Sequence, residues 1–215
     1  MLKVSEIFTS IQGESTYAGL LCQFIRLSGC NLRCSYCDTL YAQEFSSGTD
    51  MELDRIVQTA IQSGVNLVEI TGGEPMTQKE TPELCEKLID MGFTVLVETN
   101  GSLPVSALPR KAVKILDCKT PSSGESLKMD FTNFSVIDRK DEIKFVLKDY
   151  EDYVWAKGII EKYKLAELTP NILFSPVWGT MNLEDLASWI VRDRIPVRLN
   201  IQLHKIIWGP DKKGV

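Results

Sequence analysis

Short apolar runs alternate with amphipathic stretches along this chain, at intervals of some tens of residues. Runs rich in Val, Ile, Leu and Phe at Cys22–Ser28, Leu67–Thr71, Thr94–Glu98, Val113–Asp117, Glu142–Leu147, Asn171–Ser175 and Val197–Gln202 predict strands. Between them, apolar residues recur at helical spacing over Glu52–Gln62, Pro82–Met91, Tyr150–Lys162 and Leu183–Arg192, with Thr49 or Asp50 and Asn182 as expected N-caps. Gly64 and Gly92 fall just past two of these helices, where a left-handed residue closes the last turn. Ser46–Gly48 and Pro121–Gly124 read as loops. This is the rhythm of βα units around parallel strands, an α/β architecture.

Parallel strands covered on both faces should be almost wholly apolar. Several here are interrupted by a charge: Arg26, Glu69, Glu98, Asp117 and Lys144. Each alone reads as well as a paired or solvent-facing residue. Together they predict one shared polar interior, a barrel with a functional lumen. The loops that follow the first four strands begin near Gly29, Gly72, Thr99 and Lys119, so all emerge at the carboxyl ends, where barrel enzymes build their sites.

A chain of 215 residues, 44% apolar, can bury one substantial core, and it is expected to form a single domain over residues 1–215. No apolar run approaches the roughly 20 residues of a membrane helix. The net charge of −5, without a Lys/Arg block, argues against a nucleic-acid surface. The opening MLKVSEIFTSIQGES lacks the basic start and apolar run of a secretion signal, so a cytoplasmic enzyme is expected.

Chemistry concentrates in Gly29-Cys30-Asn31-Leu32-Arg33-Cys34-Ser35-Tyr36-Cys37. The Cys-x3-Cys-x2-Cys spacing puts three thiolates on one short loop, with no fourth cysteine at ligand spacing. A 4Fe-4S cluster normally takes four Cys ligands, so three would leave one iron open for chemistry. A zinc site remains open as an alternative if Cys22, Cys85, Cys118 or His204 supplies a fourth ligand, and so do disulfides among the six cysteines. Cys22 and Cys85, in strand and helix patterns, otherwise read as core thiols.

Cys30-x3-Cys34-x2-Cys37 resembles the cluster signature of the radical S-adenosylmethionine (SAM) superfamily, and Thr71-Gly72-Gly73-Glu74-Pro75 resembles its Gly-Gly-Glu-Pro motif. The resemblance implies an incomplete βα barrel of about six parallel strands with small family-specific insertions, a length for which this chain has room. Further segments narrow it: Glu6–Glu14 (EIFTSIQGE), Phe24–Leu32 (FIRLSGCNL), Cys37-Asp38-Thr39 and Leu203-His204-Lys205 are similar to the 7-carboxy-7-deazaguanine synthase family over almost the whole chain.

That family is a set of carbon–nitrogen lyases acting in queuosine- and archaeosine-type biosynthesis. The resemblance implies ring contraction of 6-carboxy-5,6,7,8-tetrahydropterin to 7-carboxy-7-deazaguanine with release of ammonia. Cofactors implied are a 4Fe-4S cluster, SAM and Mg2+; partners are the pterin, an electron donor such as flavodoxin or ferredoxin, and a second copy in a homodimer. By the same resemblance the cluster loop is 29–39. Cys30, Cys34 and Cys37 hold the cluster, and Thr39 is a magnesium ligand. Ile11, Gln12, Gly13, Arg26 and Thr71 contact the substrate, while Tyr36, Cys37, Asp38, Gly73, Asp117, Cys118 and Lys119 contact SAM. Asp117-Cys118-Lys119 departs from the family's Ser-Pro-Lys, which puts the side-chain role of Cys118 in doubt.

Independent chemistry supports parts of this assignment. The planar fork of Arg26 suits a substrate carboxylate. Thr39 by sequence alone reads as a turn residue, and magnesium rests on the resemblance, to which a hard ion held chiefly by substrate oxygens and one hydroxyl is chemically suited. The alternative for Ile11-Gln12-Gly13 is a polar turn between two strands, Glu98 and Asn100 are expected near the SAM ribose, and lone His204 reads either as structural or as part of the site. The terminal carboxylate that contacts substrate in some members is not carried over, because this chain continues through Ile206–Val215.

Overall fold

The computed structural model describes residues 1–215. Nine strands form one sheet: β1 (Leu2–Ile11), β2 (Leu21–Leu27), β3 (Thr49–Met51), β4 (Leu67–Gly72), β5 (Thr94–Thr99), β6 (Val113–Asp117), β7 (Glu142–Leu147), β8 (Ile172–Pro176) and β9 (Arg198–Leu199). Their order is β3-β1-β2-β4-β5-β6-β7-β8-β9. From β2 to β9 every neighbour is parallel, while β1 runs antiparallel to both β2 and β3. The two ends of the sheet do not pair, so the barrel is partial, as expected. Its helices are α1 (Leu53–Ser63), α2 (Thr81–Asp90), α3 (Tyr150–Lys162), α4 (Leu165–Leu168), α5 (Leu183–Asp193) and α6 (Leu203–Trp208).

The period-2 pattern of the strands sorts the core into two compartments. Ile25, Val68, Ile70, Val95, Val97, Leu116, Ile143, Phe145, Ile172 and Phe174 point outward and meet Ile56, Ala60, Leu84, Leu88, Tyr153, Ala156 and Leu186 of the helices. Residues one position out of phase fill the lumen. At its amino end Cys22, Phe24, Leu67, Leu96, Val113 and Ile115 form a small apolar plug. Above the plug, on the same strand faces, stand Arg26, Glu69, Thr71, Glu98, Asp117 and Lys144. The interrupting charges therefore do share one interior.

Three expectations need correction. Thr49 and Asp50 do not cap α1; they belong to the short edge strand β3, and Glu52 takes the cap position without a side-chain bond. The Val197–Gln202 strand shrinks to the two exposed residues of β9, because it has β8 on one side only and the chain then turns into the unforeseen helix α6. Leu2–Ile11 is a full strand, although its sequence drew notice only as a motif. Asn182 caps α5 as expected, accepting from Glu184 N at 2.8 Å, and Gly64 closes α1 with φ of 68°.

Candidate active site

The three cysteines lie on a coil between β2 and the short helical turn at Leu40–Ala42, and main-chain bonds hold that coil on both sides. Gly29 N and Cys30 N donate to Ala42 O and Gln43 O at 2.9 Å, while Ser35 N donates to Ser123 O at 3.0 Å. Arg33 N donates to the Glu125 carboxylate at 2.7 Å. Cys30, Cys34 and Cys37 all line a cavity of about 670 Å3 at the carboxyl ends of the strands.

The Gly-Gly-Glu-Pro turn packs directly beneath this coil. Gly73 N donates to Leu27 O and Glu74 N to Gly29 O, at 3.0 and 2.8 Å. A Cβ on Gly73 would sit 2.3 Å from Gly29 O and 2.8 Å from Ala42 O, so only glycine lets the two loops approach this closely. Glu74 is fully buried and is a tie rather than a ligand. It accepts from Met76 N, Thr99 Oγ1 and Asn100 N at 2.9, 2.7 and 2.6 Å, joining the end of β4 to the end of β5.

The residues present fit a 4Fe-4S cluster with SAM. No three His, Cys, Asp or Glu side chains converge on one ion position, as a closed zinc site requires. A cubane instead takes each thiolate on a separate iron, which suits three thiols spread along one loop. Burial raises the Cys30 thiol and pushes the Cys34 thiol up to about 11, so ligation must release their protons. Asn100 Nδ2 lies 3.8 Å from Cys30 Sγ and also bonds Asn31 Oδ1, which places it beside the cluster coil. At the end of β6, Asp117 has one oxygen on Lys119 Nζ at 2.8 Å, while its buried Oδ1 has no partner. Tyr36 closes this wall, its hydroxyl on Thr120 Oγ1 and Val146 O, each at 3.2 Å.

Cys118 does not reach the cavity. Strand parity sends Leu116 and Cys118 to the helix-facing core, and the thiol is 4% exposed among apolar side chains. The side chain of Cys118, its role already in doubt from the sequence, has no access to the cavity, which leaves only its backbone for a contact there. Glu98, expected near the ribose, lines the cavity and bonds Lys144.

A second part of the lining comes from β1, β2, the end of β4 and α6. Ile11, Gln12, Gly13, Arg26, Thr39, Thr71, Gln202, His204 and Lys205 all belong to it. Arg26 pairs with Thr71 across β2 and β4, and its Nε donates to Glu6 Oε1 at 2.8 Å. Tyr41 OH donates to the same oxygen at 2.6 Å. The guanidinium is thus gripped at Nε, leaving its terminal nitrogens toward the cavity.

Gln12 lines the cavity as expected and is also tied into its own turn. Its Nε2 donates to Glu69, its Oε1 accepts from Glu14 N at 2.8 Å, and its backbone N and O bond Leu20 and Gly19. The side chain therefore orients the turn, with one amide hydrogen and one oxygen lone pair left unused. Gly13 supports the late segment: a Cβ there would lie 2.2 Å from His204 Nδ1, and Leu203 N donates to Gly13 O at 2.9 Å. Burial lowers the pKa of His204, which keeps the imidazole neutral.

Asp38 and Thr39 lie beside one another, with Thr39 Oγ1 donating to Asp38 Oδ1 at 3.0 Å. Burial opposes charge on Asp38, but Lys205, whose Nζ is 2.6 Å away, holds its carboxyl down to about 2. One hydroxyl and one ionised carboxylate facing the cavity fit a weakly held hard cation whose other oxygens come from substrate. The lumen floor carries the interrupting charges. Lys144 meets Glu14 Oε2 at 3.0 Å and Asp117 Oδ2 at 3.7 Å, and also bonds Glu98.

Sequence reading missed two contributors. Glu14 appeared only within a motif, yet it joins Lys144 to Gln202, whose Nε2 donates to it at 2.7 Å. Pro210–Val215 also line the cavity, with Lys213 Nζ 4.2 Å from the Tyr41 ring centroid. No local pattern in that polar tail marks it as part of a wall.

Comparison with known proteins agrees with this geometry. Residues 24–190 match the model of the radical SAM superfamily. The chain is 43% identical to a 7-carboxy-7-deazaguanine synthase of Chlorobaculum tepidum, covering 100% of this chain and 97% of the relative. It is 40% identical to one of Koribacter versatilis, covering 100% of both. Among solved structures, QueE from Escherichia coli superposes with a TM-score of 0.75 at 23% identity, covering 94% of each chain.

Proposed function

Because the chain belongs to the 7-carboxy-7-deazaguanine synthase family of the radical SAM superfamily, we infer that it contracts the ring of 6-carboxy-5,6,7,8-tetrahydropterin to 7-carboxy-7-deazaguanine with loss of ammonia. The observation that carries the reading is one cavity lined both by the three cysteines and by a buttressed arginine. This is a carbon–nitrogen lyase step toward queuosine- or archaeosine-type 7-deazapurines. A single radical SAM domain spanning residues 1–215 carries it, with the cluster loop at 29–39.

Cys30, Cys34 and Cys37 would hold a 4Fe-4S cluster, and Tyr36, Asp38, Gly73 and Asp117, which line the same cavity, would hold SAM beside it. Bound there, cluster and SAM supply the radical that takes and returns a substrate hydrogen. The protein's own contribution is placement and charge. Arg26 binds the pterin carboxylate with its free fork while Glu6 fixes the guanidinium plane. The Ile11–Gly13 backbone and Thr71 border the ring. Thr39 supplies the hydroxyl of a magnesium site shared with substrate oxygens, beside the ionised Asp38. Lys119 stays protonated against burial because Asp117 holds it, placing fixed positive charge beside the cluster coil.

A low-potential donor such as flavodoxin or ferredoxin supplies electrons, and the enzyme works in the cytoplasm as a homodimer. No helix is long and apolar enough to cross a membrane.

Arg26→Ala tests the substrate wall. Losing a charge-assisted bidentate contact should raise KM for the carboxypterin roughly 10–100-fold, equivalent to about 1.5–3 kcal/mol. Affinity for the decarboxylated analogue, measured by titration calorimetry, should be unchanged. Equal loss of affinity for both ligands would remove Arg26 from the carboxylate site.

A further inference from the structure

Glu69 stands apart from the other acids of the cavity. Glu6, Glu14, Asp38, Glu98 and Asp117 each have a lysine or arginine within salt-bridge distance. Glu69 has none, although it is the most deeply placed, 2% exposed in the middle of β4. Gln12 Nε2 donates to Oε2, Oε1 has no protein hydrogen bond, and the side chain lines the cavity.

A buried carboxylate with one neutral donor and no cation is strongly disfavoured against its acid form. The charged and titratable groups around it are Glu98 on β5, Lys144 on β7, Glu14 beyond β1, and Arg26 and Cys22 on β2. Burial and the nearby Glu98 charge hold the Glu69 pKa well above the carboxylate range, against the pull of Lys144 and Arg26. Glu69 is thus a neutral acid with a free oxygen at the floor of the substrate cavity.

An amine leaves carbon readily only when it takes a proton as it goes. We propose that Glu69 is the general acid of the ring contraction, delivering from Oε1 the proton that departs with ammonia. The proposal rests on the ring-contraction reading above. The Glu69 O–H bond breaks as an N–H bond forms, and the C–N electron pair stays with nitrogen. The adjacent ring carbon loses a proton, its C–H pair becomes the new double bond, and that proton restores the carboxyl. No oxidant or reductant is consumed in the step. Lys144 is the poorer donor: burial opposes its charge, but Glu14, Glu98 and Asp117 hold it protonated.

The test uses the full chain, reconstituted with iron and sulfide, and the variant Glu69→Gln, which keeps an oxygen acceptor for Gln12 but cannot give up a proton. The expected result is a fall in kcat of about 100-fold with KM within about threefold. Deuterium placed at C6 of the substrate should still appear in SAM, showing that hydrogen abstraction survives. Glu69→Asp keeps an acid one methylene further away and should retain more activity than Glu69→Gln. Infrared spectra of the iron-free wild type at pH 7 should show a protonated carboxyl band that Glu69→Gln removes. The proposal is overturned if Glu69→Gln turns over within about threefold of wild type, if label transfer falls in step with kcat, or if the carboxyl band is absent. A wild type that makes no deazaguanine overturns the ring-contraction reading itself, and this proposal with it.

Discussion

Cys34→Ala should give a folded, colourless protein with no turnover. Its thiol is half-exposed on a coil whose main-chain bonds run through Gly29, Cys30, Arg33 and Ser35, so little of the fold depends on the sulfur. The melting free energy of the iron-free protein should therefore stay within about 0.5–1 kcal/mol of wild type. Cluster content should collapse, because two thiolates cannot replace three on a cubane. Iron and sulfide analysis, visible absorption and a thermal melt of the same preparation measure both halves. Wild-type iron content in the variant would refute the ligand assignment. The same variant at Cys85, a core thiol of α2, should show the reverse: iron retained and stability reduced.

The second large effect lies in the lumen. Lys144→Met removes the one ammonium shared by Glu14, Glu98 and Asp117, a side chain 5% exposed. Asp117 keeps Lys119, but leaving Glu14 and Glu98 without a cation should cost about 3–5 kcal/mol near neutral pH. The sign of the pH dependence follows from the direction of each shift. Burial raises the Glu14 pKa, but Lys144 and Gln202 more than offset it, so the folded-state value is lowered. Stability from Glu14 is then present above its unfolded pKa, near ~4.3, and is lost as pH falls through the folded value. The folded pKa of Lys144 is raised, so its contribution is complete below its unfolded value, near ~10.4, and is lost as pH rises through the folded one. Urea unfolding should show the widest gap between wild type and variant from about pH 6 to 9, narrowing in acid as the stranded carboxyls protonate. A gap under about 1 kcal/mol at pH 7 would mean the network is solvated and not buried.

The parallel strands were legible because their apolar runs are long enough to be buried on both faces, and the charges at Arg26, Glu69, Glu98, Asp117 and Lys144 break those runs on one face only. Strand parity then determines which side chains meet, and it also explains Cys118, which sits one position out of phase with Asp117. The cluster loop and the Gly-Gly-Glu-Pro turn were legible for a different reason: ligand spacing and close approach of glycine are local properties of sequence.

What sequence could not reveal is contact across long separations. Gln12 resembles a ligand-binding residue by its motif, yet its donors and acceptors close on Glu69, Glu14, Gly19 and Leu20. The pairing of Asp38 with Lys205 and of Glu14 with Gln202 depends on α6 folding back over the first turn. The seating of Pro210–Val215 against the cavity has the same origin. Apart from the local bonds of Gln12 to Glu14, Gly19 and Leu20, these partners lie far apart in the chain, and an exposed polar segment carries no periodicity to announce them.

The central claim is that the cysteine wall and the Arg26 wall serve one ring contraction. It is tested most directly by incubating the anaerobically reconstituted protein with SAM, reductant, magnesium and 6-carboxy-5,6,7,8-tetrahydropterin. Products are then followed by mass spectrometry. The account predicts 7-carboxy-7-deazaguanine and ammonia in equal amounts, over many turnovers per SAM. Cleavage of SAM to 5'-deoxyadenosine with the pterin left intact would contradict it.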